Sequence, residues 1–229
     1  MLTSQTTELR EVLVRHAGCL GVGGRDLRAT AAAWSLDYLW LVLPAVIAGA
    51  CVLRHGVPID LAVCLLDVDT RGGPARLHLP HEGQALKDDA DAQLHRETLV
   101  RQHLSALFSA LHASSGLPVK ILWGNAARVM ADILTALLDV ARAAGDEEAL
   151  RHIDQQGSAL LTAQAWPDGE PNPLWLHGGK PPSLLAIGSP SACHAQCCLR
   201  HLLPGQLHCS RCPLAPFVTQ AMRTSHQSA

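Results

Sequence analysis

The sequence predicts an α+β protein that is mainly helical, with a β-hairpin or small antiparallel sheet and a C-terminal cysteine-rich segment. Three observations support this fold class. Apolar residues recur at helical spacing in several long segments. One short region alternates apolar and polar residues beside two adjacent glycines. Four of the eight cysteines fall within the stretch Cys197–Pro213.

Two helices are expected in the N-terminal quarter. Residues 4–20 have helical periodicity, and a glycine-rich stretch at 21–24 ends it. A second helix begins near Ala29 and continues into an uncharged apolar run, Tyr38–Leu53. Pro44 lies inside this run, where we expect it to kink or divide the helix.

The apolar run is also the one candidate for a membrane span. It has sixteen residues, whereas a spanning helix needs about 20. We therefore predict a buried core helix, with peripheral association at an inner membrane as the open alternative.

A hairpin and further helices follow along the chain. The sequence predicts two strands, at residues 59–70 and 75–80. Gly72 and Gly73 supply the positive φ values that a tight turn needs. Apolar periodicity then predicts helices at Leu94–Ser114 and Lys120–Ala144.

The last part of the chain has a different character. Gly145 is the expected stop of the long helix, and Asp146 is the expected N-cap of a helix that runs to about Ala165. Residues 167–190 are rich in proline and glycine and predict loop structure, and a short helix is possible at 216–223. We predict two domains: residues 1–190, on the substrate side, and residues 191–229, which bind the cofactor.

Composition and charge narrow the class of protein. The N-terminus lacks the basic and apolar regions of a secretory signal, so we expect a cytoplasmic protein whose ordinary cysteines stay reduced. Residues 1–170 hold all 20 acidic residues, whereas residues 171–229 hold four basic residues and five histidines. This asymmetry favours an anionic ligand or partner near the C-terminus. The sequence contains no phosphate-binding loop, no HExxH motif and no nucleophile elbow.

The clustered cysteines have the spacing C-C-x10-C-x2-C, formed by Cys197, Cys198, Cys209 and Cys212. A structural zinc site usually has two C-x(2–4)-C pairs, and a start at Cys193 keeps zinc open. Adjacent cysteines in extended chain point to opposite faces, which suits a larger iron–sulfur cluster. Redox-active thiols are the third alternative.

The stretch CCLRHLLPGQLHCSRCPL resembles the C-terminal signature of the FhuF-like ferric siderophore reductases. All four cysteine positions match, and Pro213 follows the last one. Leu122–Ala126 resembles the family's W-G-N turn before a long helix. The chain departs from the pattern at His201, where an aromatic residue is expected.

The resemblance implies an enzyme, a ferric-chelate oxidoreductase. Cys197, Cys198, Cys209 and Cys212 would bind a [2Fe–2S] cluster that passes one electron to an Fe(III)–siderophore, which then releases Fe(II) in the cytoplasm. The implied partners are the ferric siderophore and a donor protein such as a ferredoxin or reductase, without nucleic acid. Two alternatives are an iron–sulfur electron carrier or redox sensor without a siderophore substrate, and a zinc-stapled binding protein.

Other residues are expected to be structural. Cys19, Cys51 and Cys64 lie in apolar surroundings and predict buried thiols. Two interpretations are open for Trp123 and Asn125. They either form the packed start of a helix or line a substrate-binding face.

Overall fold

The computed structural model describes residues 2–23, 26–175, 194, 196–209 and 211–215. Within these ranges helices dominate, and two separate two-stranded antiparallel sheets accompany them. The predicted mainly helical α+β class is therefore confirmed.

The first two helices are α1, Leu2–Cys19, and α2, Arg28–Val52. Helix α2 is apolar on nearly all sides and is the central element of the core, where it packs against α1 and against two helices later in the chain. It is a single helix that includes Pro44, so the proline does not divide it. A proline removes one helical hydrogen bond, a loss that burial of side chains such as Trp34 and Leu43 can offset.

Two helices, α2 and α5 (Val119–Ala144), are long and apolar enough to cross a membrane by length and composition. They also pack against each other in the core. Burial within the protein accounts for part of their apolar composition, since 44% of the apolar stretch of α2 and 56% of that of α5 is buried.

The predicted hairpin is present but shorter. Strand β2, Leu65–Val68, pairs with β3, Pro74–His78, and the register shifts between Asp67 and Val68. Gly72 has a φ of +80°, and a Cβ there would lie 2.6 Å from the carbonyl oxygen of Val12 on α1. Trp34 Nε1 donates to the Gly72 carbonyl at 2.9 Å. The turn therefore requires glycine both for its backbone angle and for close packing on α1.

The segment before β2 was predicted as strand, and this is wrong for residues 59–64. Ile59 enters the core as irregular chain, and its carbonyl bonds to a buried histidine. A second small sheet, which the sequence did not predict, pairs β1, His55–Gly56, with β4, Gln84–Ala85.

The helix predicted at Leu94–Ser114 consists of three consecutive parts. They are α3, Asp89–Glu97, a π-helical segment, Thr98–Leu104, and α4, Ser105–Ser115. The π-helical segment holds His103, which is fully buried.

Helix α5 ends at Gly145, which adopts the left-handed conformation with a φ of +68°. The Asp146 side chain then accepts a hydrogen bond from the backbone N–H of Ala149, which caps α6, Glu147–Leu161. Both sequence signals are confirmed, although α6 ends four residues earlier than predicted. The predicted boundary at residue 190 and the predicted helix at 216–223 lie outside the described residues.

Candidate functional site

The cysteine segment, Cys197–Pro213, folds back on itself in a series of turns. Leu199 follows the adjacent cysteines with a φ of +58°, and a short 3₁₀ helix, Arg200–Leu202, comes next. Gly205, with a φ of +70°, reverses the chain toward Cys209. The left-handed conformation of a leucine costs about 1–2 kcal/mol, so this turn is held by its surroundings. Leu199 packs against the core, which supplies part of that compensation.

The reversal brings the four predicted cysteines together. Cys197 interacts with Cys198 and Cys212, and Cys209 also interacts with Cys198 and Cys212. Cys212 contributes to the raised pKa of Cys197, and Cys198 contributes to that of Cys209, so each adjacent cysteine lies near a thiol from the other half of the segment.

The thiols sit in a desolvated environment. Cys198 and Cys212 are buried, and burial together with the neighbouring thiols raises the pKa of Cys197 and raises that of Cys209 to about 11. Without a bound cation, the thiols of Cys197 and Cys209 are therefore protonated at neutral pH. No three of the described His, Cys, Asp or Glu side chains converge as ligands of one metal ion.

One face of α5 anchors the cysteine segment. Gly124, Arg128 and Asp132 are spaced by four residues and lie on the same side of the helix. Arg128 Nη2 donates to the Gln196 carbonyl at 2.9 Å, and Arg211 Nη2 lies 2.9 Å from Asp132 Oδ1. These contacts hold the segment at both ends, just before Cys197 and just before Cys212.

The W-G-N sequence lies within α5 and not in a turn before it. Trp123 packs edge-to-face on Phe108, with ring centroids 4.8 Å apart. Asn125 is fully buried, and its amide donates to Ser35 Oγ on α2 at 3.1 Å. These two residues stabilise the core, and neither lines the cleft described next.

A cleft of about 360 Å³ opens beside the thiols, between α1, α2, α5 and the cysteine segment. Two of the four cysteines, Cys198 and Cys209, line this cleft. The opposite wall is formed by one face of α2, on which Ala33, Asp37 and Trp40 follow at helical spacing. Trp40 is half exposed, so its ring is available to a bound molecule.

The charges around the cleft are mixed. Arg128 and Arg200 supply positive charge, and the carboxylate of Asp132 is paired with Arg211. Burial lowers the pKa of His194 to about 4, and Arg128 and Arg211 add to this effect. His194 is therefore neutral at neutral pH.

Two histidines flank the thiols on the other side. His201 Nδ1 lies 3.7 Å from Cys197 Sγ, and the His201 and His208 rings stack with centroids 4.7 Å apart. Burial lowers the pKa of His201, and His208 adds to this effect. The position at which the family pattern has an aromatic residue is thus filled by a stacked imidazole.

The remaining cysteines differ from one another. Cys51 is buried as predicted, and burial raises its pKa to about 12. Cys64 is only partly buried, and Cys19 is exposed, so the prediction of a buried Cys19 is wrong. Cys19 is near the end of α1, where the helix face turns to solvent. Cys193 lies outside the described residues.

Fold and site together define a mainly helical protein that presents four neighbouring thiols at the edge of a mixed-charge cleft. The family model described as "ferric iron reductase FhuF-like transporter" matches residues 32–180, which is 149 of the 229 residues. The chain belongs to this FhuF-like ferric iron reductase family. The match spans α2 to α6 and ends before the cysteine segment. No curated protein matches the chain.

Proposed function

We propose that the protein is a ferric siderophore reductase that binds a [2Fe–2S] cluster through Cys197, Cys198, Cys209 and Cys212. The observation that carries the proposal is that Cys198 and Cys209 line the cleft beside the thiol group. A molecule in this cleft lies next to the cofactor ligands. Membership of a ferric iron reductase family supports the same reaction class.

The donor set fits this cofactor. Four thiols are the ligand number of a [2Fe–2S] cluster, in which each iron takes two protein ligands. Each of the adjacent cysteines lies near a thiol from the Cys209–Cys212 end of the segment, as a shared ligand set requires. When bound, the cluster supplies a one-electron relay between a donor and the substrate.

The surroundings suit an anionic centre. Residues 171–229 contain no Asp or Glu, and the positive charge of Arg128 lowers the pKa of the Cys209 thiol, which favours the thiolate. The Leu199 backbone N–H donates to Cys197 Sγ at 3.4 Å. Hydrogen bonds and positive charge near thiolate sulfurs stabilise negative charge and help set the reduction potential.

The cleft accepts part of a chelate and not a whole one. Its volume of about 360 Å³ is at the small end for a site that encloses a small molecule. We infer that one face of the ferric chelate docks at the opening, against Trp40 and Arg200, while most of it stays in solvent. Contact between the protein and the outside of the chelate is sufficient for the reaction, because only an electron must pass to Fe(III).

The electron donor is inferred from charge. Arg200 and Leu207 are exposed on the cysteine segment, and no acidic residue occurs in that part of the sequence. An acidic one-electron carrier of the ferredoxin type is the partner with complementary charge. Such a donor, and the release of Fe(II) for use in the cell, agree with a cytoplasmic location.

The direct test is the visible spectrum and the iron and sulfide content of protein purified without oxygen. We expect about two irons and two sulfides per chain, as the cofactor requires. Chemically reduced protein should then be reoxidised by a ferric trihydroxamate or a ferric tricatecholate. Cys209→Ser should abolish the absorption, whereas the exposed Cys19→Ser is the matched control and should retain it.

Three results would contradict the proposal in different ways. One zinc per chain without sulfide would indicate the zinc-stapled alternative. A normal cluster that no ferric chelate reoxidises in a saturable manner would indicate an electron carrier or sensor. An unchanged spectrum in Cys209→Ser would refute the ligand assignment.

A further inference from the structure

Asp37 is the carboxylate of the cleft that has no fixed partner. It lies on the α2 wall, one helical turn before Trp40, and makes no hydrogen bond within the part of the chain that the structure describes. The other carboxylate of the cleft, Asp132, is held by Arg211 at 2.9 Å. Asp37 is therefore available to a molecule that docks at the opening.

The groups that share the cleft with Asp37 come from several parts of the chain. His16 on α1 and Arg200 on the cysteine segment interact with its carboxyl, α5 contributes Arg128 and Asp132, and His194 also lines the cleft. Asp37 is exposed to solvent on one side, yet the protein on the cleft side desolvates it. Burial raises the pKa of Asp37, and this effect outweighs the opposing influence of His16 and Arg200.

His16 gives the same end of the cleft a second polar feature. It is buried, and its Nδ1 has no hydrogen-bond partner among the described residues. A buried ring nitrogen without a partner is costly in the free protein. Asp37 and His16 are therefore two polar side chains that line the same cleft as Cys198 and Cys209.

Reduction of a ferric chelate creates a need for protons. Hydroxamate and catecholate oxygens bind Fe(III) as anions, and protons compete for them as soon as the iron is Fe(II). A general acid at the docking surface therefore speeds release of the metal, typically by 10²–10⁴-fold for acid catalysis of this kind.

We propose that Asp37 is a catalytic residue that donates a proton to a donor oxygen of the ferric chelate as its iron is reduced; this rests on the proposed reductase function. One electron from the reduced protein converts the Fe(III) of the chelate to Fe(II). The proton leaves the Asp37 carboxyl, an O–H bond forms on the chelate and the Fe–O bond breaks. Asp37 remains as a carboxylate and regains a proton from solvent through its exposed side.

The kinetic test uses pre-reduced full-length protein and a ferric trihydroxamate, mixed rapidly in a single turnover at a series of pH values. We expect Asp37→Asn to slow the reaction on the order of 100-fold and to remove the decline in rate with rising pH that the wild type shows. Asp37→Glu should restore part of the rate. Glu11→Gln removes an exposed carboxylate of α1 and is the matched control that should behave as wild type.

A second test does not depend on turnover. The redox-inert gallium(III) trihydroxamate should bind wild type and Asp37→Asn with affinities within about threefold, because the proton is needed only after reduction. The infrared carboxylic-acid band of Asp37, identified by its loss in Asp37→Asn, should titrate above the ordinary value of 3.8.

The outcomes separate the two proposals. If wild-type protein is not reoxidised by any ferric chelate, the reductase function fails and the proton donor fails with it. If wild type is active and Asp37→Asn keeps the same rate and pH profile, only the role of Asp37 is refuted. A large loss of gallium chelate affinity in Asp37→Asn would also overturn the proposal, since it would make Asp37 a docking residue.

Discussion

Gly124 and Gln196 are in direct apposition: a Cβ atom at position 124 would lie 2.8 Å from Cβ and 2.9 Å from Cγ of Gln196. Gln196 immediately precedes the adjacent cysteines, and its carbonyl accepts a hydrogen bond from Arg128 one turn further along α5. The glycine of the W-G-N sequence thus lets the chain approach the helix closely enough to position the thiols. This relationship joins the family-matched region to the cysteine segment that lies outside the match.

We predict that Gly124→Ala displaces the cysteine segment while the helical core stays folded. Alanine favours a helix over glycine by up to about 1 kcal/mol, but its Cβ forces Gln196 away, and with it the start of the thiol group. The reactivity of the cysteines toward a thiol reagent should rise, and the iron content should fall. Gly18→Ala is the matched control, because nothing lies within 4 Å of a Cβ at that helical position; an equal rise in both variants would contradict the prediction.

Much of the fold follows from local sequence signals. Gly145 and Asp146 determine one helix end and the next helix start, and periodicity alone identifies the α5 stripe. The irregular chain at Ile59 and the π-helical segment at 98–104 were not predicted. Both depend on His103, whose partners are 44 and 65 residues away in sequence. Contacts at such separations leave no periodic signal.

The Arg211–Asp132 pair is predicted to contribute to docking of the cysteine segment. The two side chains are partly buried, at 21% and 40% exposure, so the interaction is less screened than a fully exposed pair. We expect a coupling of about 1 kcal/mol in a double-mutant cycle of Asp132→Asn and Arg211→Gln, measured by denaturant unfolding. The corresponding cycle for the exposed Asp139–Arg142 pair on the same helix is the control. A larger coupling for that exposed pair would refute the expectation.

The candidate site, like the fold, was predicted only in part from the sequence. Spacing singled out the four cysteines as a candidate site, the family resemblance implied their role as cluster ligands, and the structure brings them near one another. The other wall of the cleft was missed, because Asp37 and Trp40 lie in a helix that reads as core. The available signal was Asp37, a charged residue directly before the apolar run and three positions before Trp40. His16 carries no such signal, since only the packing of α1 brings it to the cleft.

Two tryptophans should respond differently to truncation. Trp123 packs on Phe108, so Trp123→Ala should destabilise the fold by roughly 3 kcal/mol and leave the visible spectrum of the folded protein unchanged. Trp40 is 49% exposed and lines the cleft. Trp40→Ala should therefore have little effect on stability and should weaken binding of a gallium(III) chelate. Denaturant unfolding and a binding titration on both variants test the pair, and loss of chelate binding in Trp123→Ala alone would reverse the assignment.

His103 makes the stability of the protein depend on pH. Its Nδ1 donates to the Ile59 carbonyl at 2.6 Å, because a carbonyl only accepts, so Nε2 is the acceptor for the Tyr38 hydroxyl at 2.7 Å. Burial lowers the pKa of His103 below its ordinary 6.5. The unfolded chain therefore binds the proton more readily, and the free energy of unfolding rises with pH across this range. The stabilisation is complete above pH 6.5 and is lost as the pH falls toward the lower pKa of the folded state.

Urea unfolding at several pH values between 5 and 8 measures this effect. The wild-type free energy of unfolding should fall below pH 6.5, and His103→Gln, although less stable at pH 8, should show a shallower fall. His81→Gln, at an exposed position, should retain the wild-type slope. Equal slopes in all three proteins would mean that other groups are responsible for the loss of stability in acid. Tyr38→Phe adds a further check: it leaves Nε2 buried without a donor, which should cost about 1–3 kcal/mol at pH 8.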